Sequence, residues 1–516
     1  MEKMKKWFQS HEKLTIFLAL FSAVVIYAGF NIWQSGRWSI WFDESFSAFM
    51  IRHNFAEIWH YTSLDVNSPL YYFLLKLWSM LFGHDVAMLR SFSILCGLGV
   101  IIVGFFLSRK LFGAKTAWFA LPLLTLSPML VRYGTEMRTY TLTTLLIFGA
   151  TLALVIAAKK NQRKVWIIYG ILAALAMWSH YYAALPLAAG FIWFMTTRWQ
   201  KDIKVRANLL KVFDKNVKWA LGLAFVLFLP WLGVMLWQVA VVQGMGFWIP
   251  PVSFMTLGNF FGEMLVYLGV NGLKSWWLLC VLIWLILAIF LSVKLWQSNK
   301  KSRRNYLLIL LIVLVPPLTV AVISMPPLQS MFINRYVIYS MIFVSILVAF
   351  LASADLKKLK KVRIVFYVLT LILSILGVYN VATYGNFNRD TNSMSVAKTI
   401  MVEVATNLSE RTIVIADNPW IFYDAVNYAT DKNPVYFLDS STEYEFGSLA
   451  MLRDDKIHKI KDLAKFVKSG QTVWFISGSS NAKNPPIETW ETLRKIEVPF
   501  PIGDAKPAWA VEYLVR

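Results

Sequence analysis

LTIFLALFSAVVIYAGFNIWQSGRWSIWFDESFSAF, residues 14–49, decides how the chain is read. Residues 14–33 are predominantly apolar and carry no charge. As a helix this run is long enough to cross the roughly 30 Å hydrocarbon core of a bilayer. The preceding MEKMKKWFQSHEK resembles the start of a signal peptide. The run is too long for an h-region, and no small-residue cleavage site follows it, so it reads as an uncleaved first helix. Directly after it come Asp43 and Glu44, set among Trp38, Trp41, Phe42 and Phe46. Adjacent carboxylates in an aromatic setting at a membrane surface are unusual, and they mark the place where chemistry is to be sought.

The same apolar pattern recurs at 86–108, 112–131, 140–158, 165–182, 183–199, 219–238, 276–297, 305–324, 336–354 and 363–384, which makes about eleven transmembrane helices. Composition agrees. The 516 residues are 58% hydrophobic and 16% charged, against roughly 25% charged in a soluble domain. A net charge of +22 would suggest nucleic acid in a soluble protein, but here basic residues collect in alternate loops. Lys3, Lys5 and Lys6 place the N-terminus inside. Loops 109–115, 159–164, 198–218, 294–304 and 357–363 are then also inside, and each is rich in Lys or Arg. Loops 35–85, 132–139, 239–275 and 325–335 fall outside and carry few. Cys96 and Cys280 lie in apolar runs and read as small buried hydrophobes, which excludes a disulfide-stapled exterior or a cysteine-rich metal site.

The organisation expected is a transmembrane domain over 1–385 and an extracytoplasmic α/β domain over 386–516. Loop 35–85 contains SPLYYFLLKLWSMLF (68–82), too short to span, which reads as a helix lying at the interface. WIPP at 248–251 marks a capping loop. In the tail, TIVIAD (412–417), PVYFLD (434–439), TVWFIS (472–477) and WAVEYLV (509–515) read as strands, and 395–408 and 457–467 as helices. No glycine-rich phosphate loop follows any of these strands, which argues against a nucleotide site.

Candidate site residues gather in the outer loops. Asp43 and Glu44 are joined by Asp65 and Asn67 in LDVNSPLYY (64–72), although Asp65 also suits a helix cap. RYGTEMRTY (132–140) places Arg132, Glu136 and Arg138 on a face that is poor in basic residues. A phosphate is one reason for arginines there, because the guanidinium fork matches its oxygens; snorkelling from a helix end is the plainer one. SHYY (179–182) sets His180 on a tight turn, and NRY (334–336) adds Arg335.

As a set these residues resemble the GT-C superfamily of integral membrane glycosyltransferases, in particular bacterial relatives of dolichyl-phosphate-mannose–protein mannosyltransferases and of the lipid A aminoarabinose transferase. The likeness runs through Asp43-Glu44, Asp65-x-Asn67-Ser68-Pro69-Leu70-Tyr71-Tyr72, Leu89-Arg90, Leu111 to Gly113, Ser127-Pro128, Glu136-x-Arg138-x-Tyr140 and Arg335-Tyr336. It covers the first ~200 residues well and the middle loosely, and does not extend clearly into the tail. Relatives usually carry a basic residue and two prolines before Leu-Tyr-Tyr. This chain has Asn67 and Ser68, which leaves Arg138 and Arg335 as the better phosphate ligands.

The resemblance implies an all-α polytopic GT-C fold with a small C-terminal α/β domain. It implies transfer of a sugar from a polyprenyl-phosphate carrier to a hydroxyl acceptor outside the membrane, with inversion. Asp43 would be the base, with Glu44 and Asp65 around it. Arg138, Arg335 and His180 would hold the donor phosphate, and Asn67, Tyr71, Tyr72, Glu136, Tyr140, Tyr181 and Tyr336 would line the substrate. The acceptor class is an envelope polymer, a lipid or a protein. No cofactor is required, and a divalent cation at the three acids is compatible with their oxygens. The rivals are a transporter or flippase for lipid-linked sugar, a polysaccharide polymerase, and a membrane sensor. A transporter would want mid-helix charges and matching broken helices, which the sequence shows little of.

The charge alternation yields a topology test. A reporter active only outside the cytoplasm is expected to work when fused after residue 390 and to stay silent after residue 211. The opposite pattern would overturn the orientation.

Overall fold

The computed structural model describes residues 11–245, 249–269, 272–299, 302–385, 397–407, 412–439, 447–477, 485–498 and 508–516. Lys3, Lys5, Lys6, Trp248 of the WIPP stretch, and the ends of the 395–408 helix lie outside the described residues. The chain falls into two compact units, Met1–Trp33 with Ser93–Thr383, and Gln34–Phe92 with Tyr384–Arg516. Loop 35–85, assigned by sequence to the transmembrane domain, thus groups with the tail.

The first unit is built from apolar helices. Among the described residues eight are long and apolar enough to cross a membrane: Glu12–Arg37, Val86–Phe112, Tyr140–Lys160, Lys215–Gly244, Ser275–Ser298, Arg303–Ile323, Asn334–Ser353 and Lys360–Tyr384. This is a multi-pass membrane protein. Ala114–Thr125 and Pro128–Gly134 are apolar enough as a pair but bent by 50°, the geometry of a broken span or of a re-entrant loop. Pro128 starts the second piece, where its missing N–H and fixed φ suit a first helical turn. Expected segments 165–182 and 183–199 form helices Arg163–Ser179 and Ala184–Lys201. At 17 residues the former is roughly 26 Å long, which is marginal for spanning.

Packing in this unit follows from where side chains are small. A Cβ on Gly170 would lie 2.5 Å from the Ala220 carbonyl oxygen, so glycine lets helices Arg163–Ser179 and Lys215–Met245 approach closely. Gly97 and Gly134 make room for Tyr27, whose hydroxyl donates to the Leu130 carbonyl at 2.9 Å. Helix Ile338–Ser353 is apolar all round and buried along its whole length, as a central helix must be.

The second unit joins three short helices to a sheet. The helices are Phe42–Met50, Phe55–Leu64 and Leu70–Phe82. The last matches the expected interfacial helix and buries Tyr71, Tyr72, Leu75 and Ser79, one face of its 3.6-residue period. The sheet comprises β1 (Ile413–Ala416), β2 (Val435–Leu438), β3 (Lys459–Ile460), β4 (Thr472–Ser477), β5 (Glu491–Val498) and β6 (Ala508–Leu514), in the order β3-β2-β1-β4-β6-β5. Strands β3, β2, β1 and β4 run parallel; β6 pairs antiparallel with β4 and β5. Central strands β1 and β4 are buried nearly throughout, which explains their continuous apolar runs.

Two expectations for the tail change. Residues 457–467 are not one amphipathic helix: Lys459–Ile460 pair with Phe437–Leu438 as β3, and Asp462 caps a short helix Leu463–Phe466 by accepting from the Lys465 N–H. Strand β5 was not expected, because an exposed edge strand reading ETLRKIEV shows no apolar alternation.

Candidate functional site

In the second unit helix Phe42–Met50 carries Asp43 and Glu44 in its first turn, where carboxylates suit the positive end of the helix dipole. Glu44 is fully buried. Arg90 holds it with two parallel bonds, Nε to Oε1 at 2.9 Å and Nη2 to Oε2 at 2.6 Å. The same guanidinium donates to the carbonyls of Ser35 (2.6 Å), Trp38 (2.8 Å) and Ser39 (3.1 Å). Every N–H of Arg90 therefore has an acceptor. Sequence reading noted Arg90 only as part of a motif; the signal was an arginine just inside an apolar segment.

Asp43 is half-buried beside this pair. Asp65 is buried at the C-terminal end of helix Phe55–Leu64 and accepts from Asn67 Nδ2 at 2.5 Å. Tyr72 meets Phe46 edge-on, with ring centroids 5.8 Å apart, and Tyr71 packs on Tyr72. The acids Asp43, Glu44 and Asp65 thus share a unit with Asn67, Tyr71 and Tyr72, but Glu44 is a framework group rather than an open one. Among the described residues no three His, Cys, Asp or Glu side chains gather as a cation site.

The basic candidates lie in the first unit. Arg138 and Arg335 are largely buried. His180 sits on the turn between helices Arg163–Ser179 and Ala184–Lys201, its ring 5.2 Å from that of Tyr336 and 6.3 Å from that of Tyr140. Arg335 lies over the Tyr336 ring at 5.9 Å. Burial, then the guanidinium groups of Arg138 and Arg335, push the His180 imidazole down to about 3. Its Nδ1 accepts from the Tyr182 N–H at 3.2 Å, which requires that nitrogen to be unprotonated. A neutral His180 adds no charge to the cluster, so the positive field there comes from the two arginines.

Two further candidates have protein partners. Tyr181 turns toward helix Lys215–Met245, donating to Gln238 and accepting from Trp231 Nε1 at 2.7 Å. It is Tyr182 that packs on His180 and Tyr336, at 5.4 and 5.6 Å. Glu136 is fully buried and paired at 2.7 Å with Arg132, four residues before it, while Arg132 Nε donates to Tyr267 at 2.7 Å. That pair braces the segment that carries Arg138.

The comparisons agree with this architecture. Residues 66–237 match the family model described as dolichyl-phosphate-mannose-protein mannosyltransferase. The crystal structure of ArnT from Cupriavidus metallidurans bound to undecaprenyl phosphate superposes with a TM-score of 0.59, at 12% identity over 96% of this chain and 97% of that one. Its apo form gives 0.54, at 11% identity over 99% and 98%. The chain has the fold of the GT-C membrane glycosyltransferases. No curated protein matches the chain by sequence. At these identities the GT-C likeness concerns the backbone, so residue roles must come from the chemistry of each cluster.

His180 supplies a pH test. Its folded pKa lies below the unfolded value of 6.5, so neutral His180 contributes stability that is present above pH 6.5 and lost as pH falls toward about 3. His180→Asn is expected to flatten the loss of thermal stability on acidification below pH 6.5, read as melting temperature against pH. Parallel curves for the two proteins would contradict the assignment.

Proposed function

We propose that the chain moves a sugar from a polyprenyl-phosphate carrier to a hydroxyl acceptor on the outer face of the membrane. The observation that carries this reading is the division of labour between the adjacent acids. Arg90 occupies both oxygens of Glu44, while Asp43, in the same helical turn, is half-buried and has Trp41, Phe42 and Phe46 as neighbours in sequence. A carboxylate is among the side chains that serve as general bases. The GT-C fold supports it, as does a structure of that fold bound to undecaprenyl phosphate.

In the step itself Asp43 accepts the proton of the acceptor hydroxyl as its oxygen attacks the anomeric carbon. The bond from that carbon to the phosphate oxygen breaks, and polyprenyl phosphate leaves with the electron pair. Arg138 and Arg335 stabilise the charge that builds on it. Attack opposite the leaving group inverts the anomeric centre. Neutral His180, Tyr140 and Tyr336 shape the arginine cluster, and Asp65 with Asn67, Tyr71 and Tyr72 shapes the acidic one. The outer loops face away from the cytoplasm in this reading. The step as written needs no nucleotide, and a divalent cation at the acids is compatible with it.

Asp43→Asn keeps shape and hydrogen bonding but cannot take the proton. It is expected to insert, fold and bind the polyprenyl-phosphate sugar, yet to lose 10²–10⁴-fold in turnover, of the order that a general base contributes. Retention of more than about a tenth of wild-type turnover with donor saturating would exclude Asp43 as the base, because that loss is under about 1.4 kcal/mol.

A further inference from the structure

Helix Pro419–Ala425, which follows β1, packs on helix Phe42–Met50 within the second unit. The contact is aromatic. Phe42 meets Trp420 and Tyr423 at 4.5 and 5.7 Å, and Phe49 meets Phe422 and Tyr423 at 5.7 and 5.3 Å. The same helix carries a carboxyl group, Asp424, with no exposed surface. Its Oδ1 makes a short hydrogen bond with the Ser45 hydroxyl. Its Oδ2 is buried with no hydrogen-bond partner among the described residues.

The proton count at Ser45 decides the state of this acid. Ser45 Oγ is also 3.1 Å from the Trp41 carbonyl, the N-cap residue of the helix that carries Asp43 and Glu44. A hydroxyl has one proton, so it cannot donate to both the carbonyl and a carboxylate. Both contacts are satisfied when Asp424 carries a proton. An ionised Asp424 would also leave a buried, charged oxygen without a donor, a costly arrangement.

We propose that Asp424 is a positioning residue that acts as a neutral carboxylic acid: it donates to Ser45, which donates in turn to the Trp41 carbonyl, fixing the first turn that presents Asp43. Burial pushes the Asp424 carboxyl well above the usual carboxylate range; the Ser45 bond opposes this, and the charges of Glu44 and Asp43 add to it. Further bonds tie the same segments together. Tyr428 accepts from the Ile40 N–H at 2.7 Å, and Arg52 donates to the Val426 carbonyl at 3.1 Å. The C-terminal domain is thereby part of the machinery that orients the base. The functional half of this inference rests on Asp43 as the base; the protonation of Asp424 does not.

The test uses the purified full chain, with infrared spectroscopy at neutral pH and turnover of a polyprenyl-phosphate sugar as readouts. Asp424→Asn retains a donor to Ser45. It is expected to remove one protonated-carboxyl carbonyl band and to keep turnover within about threefold of wild type, as for exchange of one neutral hydrogen bond for another. Asp424→Leu removes the donor and is expected to lower kcat about tenfold or more, in the range of a misplaced catalytic group, with donor KM unchanged. Ser45→Ala is expected to repeat that split. An unchanged band in Asp424→Asn overturns the neutral acid, and loss of turnover in that variant shows an ionised carboxylate instead. Native kcat in a folded Asp424→Leu removes the positioning role. If Asp424→Leu does not fold, the Asn comparison still decides. Were Asp43→Asn to stay active, the base assignment would fall while the band and its loss in Asp424→Asn would stand.

Discussion

Arg90 and Glu44 form the interaction on which the acidic cluster depends. A guanidinium with five acceptors and a carboxylate with both oxygens bonded leave no unmatched charge in a place that water does not reach. Removing one partner of such a buried pair typically costs about 3–5 kcal/mol, because the other charge stays behind. The pair also has a geometric effect. By gathering the carbonyls of Ser35, Trp38 and Ser39, Arg90 fixes the segment that leads into helix Phe42–Met50. Asp43 is carried in the first turn of that helix. Its neighbour supplies rigidity, so Asp43 need supply none.

The basic cluster follows a parallel logic. Arg132 and Glu136, four residues apart, neutralise each other and brace the backbone beneath Arg138. His180, held neutral by burial and by the two remaining arginines, contributes shape without charge. In both clusters an ion pair serves as scaffold, and the groups assigned to chemistry sit beside it. Conserving volume while changing charge would therefore disturb Glu44 and Glu136 through folding, and Asp43 and Arg335 through rate.

Much of this was legible in the sequence. Long uncharged runs separated by basic loops can hardly be anything but membrane helices, and the strands of the tail announced themselves as buried apolar runs. The acidic pair was visible for its aromatic company. What stayed hidden depended on tertiary partners. Nothing local distinguishes Glu44 from Asp43 until Arg90, 46 positions away, chooses one. Tyr181 and Tyr182 are equivalent as letters, and only the direction of a short 3-10 turn sends one to Gln238 and the other to Tyr336. Asp424 reads as an ordinary helix residue until Ser45 is found against it. Strand β5, polar and exposed at the edge of its sheet, carried no hydrophobic signal.

The bend between Ala114–Thr125 and Pro128–Gly134 is a feature that transport proteins also use, so the claim of group transfer is best tested directly against movement of intact carrier. The purified protein in sealed proteoliposomes would be given polyprenyl phosphate bearing a labelled sugar, together with an acceptor on one side. The account predicts that label passes to the acceptor as polyprenyl phosphate appears in equal amount. Passage of the carrier across the bilayer with its sugar still attached, and no polyprenyl phosphate released, would contradict it.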